Sequence, residues 1–196
     1  MLNMATNSAN VLAGKPLATG GVLVAPVGST APTNATTALD AAFKALGYVG
    51  EDGLTEAAER STDKIKAWGG DVVKVVQTDY AVTYSLTLIE TLNADVLKTV
   101  HGSGNVTTTA ATVSSGTLHA VKLNSDTLPR QAFVFEVKDG DARIRIYVPQ
   151  GQITEVGEVT YSDEDVVSYE VTVEAFRDSA LGANAIKYID DGVFDA

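Results

Sequence analysis

The chain has 196 residues, no cysteine, and 25 acidic against 14 basic side chains, for a net charge of −11. The missing cysteines exclude disulfide frameworks, thiolate zinc sites and thiol nucleophiles together, and fit a reducing cytosol. The acidic balance argues against a surface that grips nucleic acid, which needs clustered Lys and Arg.

Residues 1–15 are rich in Asn, Ala, Ser and Thr and read as a flexible N-terminal arm. They lack a basic segment followed by an apolar core, so no secretion signal is expected. No apolar run in the chain approaches the ~18 residues that span a bilayer, so neither is a membrane anchor. The expectation is a soluble protein made in the cytosol. Val22, Leu23 and Val24 form a short strand between Gly21 and Pro26, followed by a polar loop over 28–37. Leu39, Ala42, Phe43 and Leu46 then recur at helical spacing before Gly47, which suits a short helix or a loop with one helical turn.

Strand signals dominate from Ser61 onward. Ile65 and Ala67 alternate with Lys64, Lys66 and Trp68, Gly69-Gly70-Asp71 makes a turn, and Val72, Val73, Val75 and Val76 follow. Tyr80, Val82, Tyr84, Leu86 and Leu88 then alternate with Ala81, Thr83, Ser85 and Thr87, the period of a half-buried strand. Residues 93–101 are the best helix: Leu92, Val96, Leu97 and Val100 share a face, Asn93 can cap the start and Gly102 the end.

The stretch 102–116 is a low-complexity run of Gly, Ser, Thr, Ala and Asn. It reads as a loop that is mobile in a free subunit and orders against a neighbour, with Gly102, Ser103, Gly104, Asn105 and Gly116 as candidate assembly residues. Further strands carry Leu118, Val121 and Leu123, then Phe133, Phe135 and Val137, then Ile144, Ile146 and Val148 beyond the hairpin signal Asp139-Gly140. A strand over 152–161 follows Pro149-Gln150-Gly151 and leads to an acidic turn at 162–165. Val167, Tyr169, Val171 and Val173 then alternate with Ser168, Glu170, Thr172 and Glu174, and a segment near 186–189 closes the sheet. About eight or nine strands with one good helix predict a mostly β protein, a β-sandwich or barrel with one flanking α-helix. No internal repeat or linker divides the chain, so a single domain over 1–196 is expected, with a C-terminal segment beyond residue 190 outside the strand pattern.

Chemistry is sparse. The two histidines, His101 and His119, have no His, Cys or carboxylate neighbour at metal-ligand spacing. His101 is read as a cation completing the helix C-terminus, and His119 as a surface strand residue. Asp139-Gly140-Asp141 lacks the register of a calcium loop and is read as a hairpin turn. Asp163-Glu164-Asp165 is read as an acidic turn. Gly14-Lys15 lacks the flanking residues of a phosphate loop, and no G-x-S-x-G elbow is present. Carboxylates from separate strands could converge in a glycosidase-type site, yet the chain has one Trp and five Phe with which to line a cleft. No catalytic, cofactor or metal residue is assigned, and an enzyme is not expected.

Several unremarkable pieces fall in a telling order. Val22-Leu23-Val24-Ala25-Pro26 with Gly28 and Pro32 precede Leu46-Gly47-Tyr48 and Gly50-Glu51-Asp52-Gly53. Ile65-Lys66-Ala67-Trp68-Gly69-Gly70 then leads into the valine-rich strand, the long strand ending at Glu90, and the helix 93–102. In this order the chain resembles the major tail-tube proteins of long-tailed (siphovirus-type) DNA phages, those of actinobacterial phages in particular, over about residues 20–102 and more loosely beyond Arg130. The resemblance implies a structural subunit with no catalytic residues, assembled as stacked rings, typically of six copies, into a tube that conducts the genome to the host. It implies a place in the virion tail, after synthesis in the host cytoplasm. Its implied partners are other copies of the chain and the tape-measure, tail-terminator and tail-tip proteins, with DNA passing through unbound. Glu170, Thr172 and Glu174, on the polar face of their strand, are then candidates to line the channel. The competing reading is a capsid-decoration or adhesion-type β-sandwich module.

Overall fold

The computed structural model describes residues 11–17 and 20–194. Its strands are β1 (Lys15–Pro16), β2 (Val22–Pro26), β3 (Lys44–Ala45), β4 (Val49–Lys66) and β5 (Val72–Leu88). Helix α1 (Ala94–His101) and a 3-10 turn (Ser103–Asn105) follow. Then come β6 (Val106–Thr109), β7 (Leu118–Val121), β8 (Gln131–Asp139), β9 (Ala142–Val156), β10 (Tyr169–Ala175) and β11 (Ile186–Asp190). The main sheet runs β3-β2-β8-β9-β10-β5-β4, with β1 added to β8 and β11 to β9; β6 and β7 pair separately. The protein is mostly β and sandwich-like, with one α-helix among the described residues.

The layers come from a bend in β9. Its residues Arg143–Tyr147 pair with β11, whereas Gly151–Val156 pair with β10. Between them the register against β8 shifts between Gln131 and Phe133. Pro149 falls at this irregularity, where a missing amide costs no ladder bond. The sheet thereby folds over itself. Phe133, Phe135, Ile146 and Val148 meet Tyr84, Leu86, Val171 and Val173 in one buried cluster. Tyr84 and Phe135 lie 5.0 Å apart between ring centroids although two strands separate them in the sheet. Helix α1 adds Val96, Leu97 and Val100 to this core.

The helix forms as its ends dictate. The Asn93 side chain accepts from the Asp95 amide at 2.9 Å, and Gly102 takes φ +87, which a side chain would strain. Asp95 in the first turn and Lys98 in the last complement the helix dipole.

A second core covers the other face of β2, β8 and β9, where Ala25, Ala132, Val134 and Tyr147 pack against Phe43. Hence β8 is buried on both faces. This face also holds a buried ion pair of Arg145 and Glu136, with Arg145 Nε donating to Glu136 Oε1 at 2.6 Å. Arg145 Nη1 donates to the carbonyls of Asn34 (3.0 Å) and Thr37 (2.7 Å), pinning the 31–43 segment to the sheet.

Several sequence expectations are corrected. Residues 38–46 are not a helix: an Asp40 turn, with its carboxylate accepting from the Ala42 amide at 2.9 Å, leads into β3. Phe43 enters the second core and Leu46 the first, which an extended chain can do and one helical face cannot. Strand β4 begins at Val49, not near Ser61: Val49 pairs with Leu88 and Leu54 with Leu86 of β5, and Gly50–Gly53 bulge between them, with Gly53 at φ +71. The stretch 102–116 is not a plain loop; half of it is the 3-10 turn and β6, anchored by buried Val106. Strand β9 runs unbroken through Pro149-Gln150-Gly151 and stops at Val156, so no strand covers 157–161.

Candidate assembly surfaces

One pair of strands changes character along its length. In β5 the residues Val82, Tyr84, Leu86 and Leu88 are buried, while all of 72–79 is exposed. The distal half of the β4–β5 hairpin is therefore an arm that leaves the body. Eight residues at ~3.3 Å each project on the order of 25 Å. From Thr62 and Gln77 outward the two strands of the arm pair with each other, and every residue from 62 to 78 is exposed. At its tip the Ala67 amide donates to the Asp71 carbonyl at 2.8 Å, and Gly69 and Gly70 adopt φ of +115 and +100. Those angles favour glycine, and the turn leaves Trp68 fully exposed.

The arm is apolar where an exposed ribbon should be polar. Ile65, Trp68, Val72, Val73, Val75 and Val76 are all exposed, Trp68 fully. Three lysines (Lys64, Lys66, Lys74) against two aspartates (Asp63, Asp71) make the arm slightly basic in a chain of net charge −11. A two-stranded ribbon is marginal in water, and a contiguous apolar patch of this kind marks an interaction surface. At the base, by contrast, the ribbon is tied down. The Arg60 guanidinium lies 4.2 Å from the Tyr80 ring centroid, and Lys187 of β11 pairs with Glu56 at 2.8 Å.

The sheet β4–β5–β10–β9 carries a second feature on its outer face. Register places Glu170 opposite Thr87, Thr172 opposite Ser85 and Glu174 opposite Thr83, all pointing away from buried Tyr169, Val171 and Val173. Glu170 is exposed, and Thr172 and Glu174 are half-buried. The same rows continue to Ala57 and Glu59 on β4, Asp79 and Ala81 on β5, and Gln152 and Glu155 on β9. Apart from Ala57, Ala81 and Gln152, carboxylates and hydroxyls occupy these positions, with no Lys or Arg among them; Ser85 Oγ and Thr172 Oγ1 lie 3.1 Å apart.

The candidate assembly residues at 102–116 divide. Gly102 is the helix cap and buried; Asn105 donates to the His101 carbonyl at 2.9 Å and exchanges amide hydrogen bonds with Asn124. Both build the fold locally. Ser103, Gly104 and Gly116 are exposed, and fully exposed Val113 stands in the β6–β7 connection. Of the proposed terminal segments, residues 1–10 and 195–196 lie outside the described residues.

The titratable groups show no acid–base constellation in these places. Asp40 and Asp178 are held below the ordinary carboxylate value, Asp40 first by the Thr30 side chain and Asp178 first by the Leu181 amide. Burial lowers the His101 pKa, and its ring meets Tyr169 edge-on at 5.4 Å. His101 thus packs against Tyr169 with its charged form disfavoured by burial, which weakens the helix-terminal cation expected from sequence. His119 stands on β7, its Nδ1 3.0 Å from Thr108 Oγ1. Among the described residues no group of three or more His, Asp or Glu side chains could hold a metal ion, and no helix is long and apolar enough to cross a membrane.

A bent β-sandwich with an unpartnered apolar arm defines a protein built to be completed by neighbours. The family model for the phage tail tube protein matches residues 4–195, so the chain belongs to the phage tail tube protein family. A cryo-EM structure of the anti-feeding prophage cap (AFP tube terminating cap) is similar over 95% of this chain and 100% of that one. Its identity of 9% and TM-score of 0.44 are too low to bear on function. No curated protein matches the sequence.

Proposed function

We propose that this protein is the major tail-tube subunit of a long-tailed, siphovirus-type phage of the kind that infects actinobacteria. It forms rings of six copies that stack into a hollow tube, and the tube delivers the genome into the host. The observation that carries this reading is the β4–β5 arm, with six large apolar side chains on a ribbon whose every residue from 62 to 78 is exposed. An isolated subunit gains nothing from such an arm. A polymer does, because each arm buries its apolar surface against the next copy.

The acidic sheet face fits the channel in the same reading. Repeated around a ring, Glu170 and Glu174 give circles of like charge that repel DNA phosphates and let the genome slide. The β6–β7 hairpin with Val113, the N-terminal arm and the C-terminal segment supply further contacts between subunits. The tape-measure protein fills the tube during assembly, and terminator and tip proteins close its ends. The subunit is made in the host cytoplasm before it joins the virion.

Electron microscopy of the purified protein at rising concentration tests this reading. Rings or tubes of uniform diameter are expected. Monomers that persist at the highest soluble concentration, with a compact arm, would sink it in favour of a monovalent binding module.

A further inference from the structure

We propose that the arm tip of one subunit docks, with Trp68 as its knob, into a glycine-walled groove at the opposite end of β4 in a second copy of this chain. The proposal rests on the tube reading and names the receiving site for its arm. The groove lies between β1, the start of β4 and β8. It encloses about 200 Å³ and is lined by Pro16, Val22, Val49, Leu54, Phe135 and Val137. That is below the ~300 Å³ at which small-molecule pockets begin, and is the scale of one large side chain. Bare backbone makes part of its wall at Gly14, Gly21, Gly50 and Gly53. At Gly21 a Cβ would come within 2.8 Å of Pro16, and at Gly50 within 3.2 Å of Thr87, so side chains there would crowd the wall.

Charge matches the two partners. Glu51 lines the groove, exposed Asp52 adjoins it, and Glu90 lines the neighbouring hollow that shares Pro16, Gly21 and Val49. The arm tip brings Lys64, Lys66 and Lys74 on either side of Trp68, with Asp71 as its nearest acid. An apolar knob ringed by lysines thus faces an apolar hole rimmed by carboxylates.

Geometry decides which copy is the partner. Glu51 sits near the start of β4 and Lys66 at its end, so one continuous strand holds hole and knob apart. A subunit cannot fill its own groove. A contact between two different surfaces at opposite ends of an element is heterologous, and where the rotation between copies does not close it stacks rings instead of pairing them. The length of β4, on the order of 55 Å at ~3.3 Å per residue, is then an upper limit on the ring-to-ring repeat.

The native chain has no cysteine, so an introduced pair reports cleanly. The doubly substituted Glu51→Cys/Trp68→Cys protein, assembled and treated with a short bis-maleimide, is expected to give a ladder of covalent oligomers on a denaturing gel. Either single substitution should give none beyond dimers. Trp68→Ala, and Gly14→Leu, whose Cβ would sit 3.6 Å from Val137 Cγ1 inside the groove, should each raise the assembly concentration at least tenfold with unchanged monomer melting. Combining them should do little more than the stronger one alone. Wild-type tubes in which Trp68→Ala assembles normally, or in which cross-links map Trp68→Cys elsewhere, overturn the groove and leave the tube reading intact. So does finding residues 1–10 of the same chain in the groove. Wild-type protein that forms no tubes overturns the tube reading itself, and the docking proposal with it.

Discussion

The two halves of the β4–β5 hairpin share strands, partners and hydrogen bonding, and differ in what covers them. Near the body, Tyr80, Val82, Tyr84, Leu86 and Leu88 alternate with small polar residues, and their apolar face is buried by β10, β8 and α1. Beyond Asp79 the alternation dissolves into Val72-Val73-Lys74-Val75-Val76, and every residue is exposed. Alternation is the mark of a strand with one dry and one wet face. Its loss, together with apolar content, marks a strand meant to be covered by something outside its own chain. In the tube reading, folding stability and assembly stability are written in successive stretches of the same ribbon.

The largest expected effect comes from separating them. Replacing residues 62–78 by an Asn-Gly turn joins Ser61 to Asp79, which already pair. The monomer should unfold within about 0.5 kcal/mol of wild type, since no buried side chain is lost. Tube formation should vanish at every concentration reached. A truncated protein that still makes tubes would show the arm to be dispensable.

The reverse experiment breaks the body and spares the arm. Arg145→Ala leaves Glu136 buried without its partner and frees the carbonyls of Asn34 and Thr37. Loss of one member of a buried pair costs about 3–5 kcal/mol, read as a fall in the denaturant midpoint. Replacing both partners by apolar residues, as Glu136→Leu with Arg145→Met, should cost much less. An Arg145→Ala protein as stable as wild type would mean that water replaces the guanidinium.

A subtler change sharpens the contrast between the acidic sheet face and the basic arm. Glu170→Lys with Glu174→Lys alters outward side chains only, so tubes should assemble. If the face lines the channel, DNA leaves the particle more slowly at low salt and recovers as salt screens the new charge. Ejection at the wild-type rate at low salt, from particles with normal tails, would put these residues on the outside.

How much of this was legible in sequence depended on where each residue's partner lay. The base of β5 and helix α1 were readable because their signals are local: a period of two, an Asn cap, a Gly stop. The start of β4 was not, since Gly50-Glu51-Asp52-Gly53 has no strand propensity and bulges between Val49 and Leu54, whose partners on β5 lie more than thirty residues away in the chain. Residues 38–46 imitated a helix because Leu39 and Phe43 line one core and Leu46 another, at spacings that happen to suit one helical face. Arg145 alternates with Ile144 and Ile146, a pattern that by itself points it outward, and its shelter comes from carbonyls 108 and 111 residues earlier. The arm was visible as strand but not as arm: a short valine-rich run reads the same whether its own chain or a neighbour covers it.

The smallest effect concerns His101, at the junction of α1 and the first core. Burial disfavours its imidazolium, so its pKa in the folded protein lies below the ordinary value of 6.5. The Tyr169 ring meets it edge-on and Lys98 shares the last turn of its helix, and neither supplies a negative charge at neutral pH. The sign follows from linkage. Between 6.5 and the folded value the unfolded chain binds a proton that the folded chain refuses, so stability falls as pH falls through that window and levels off below it. The lowered carboxylates Asp40 and Asp178 act in the same direction but below their ordinary value of 3.8, well outside it. His101→Phe keeps an aromatic edge against Tyr169 and removes the titration. Urea unfolding at pH 7.5 and 5.5 should then show a smaller loss of stability in His101→Phe than in wild type. The arm, which holds no histidine, should contribute nothing to that difference, so the arm-deleted protein should lose as much as wild type. Equal losses in wild type and His101→Phe would show that the ring is protonated in place, as a cation at the helix terminus.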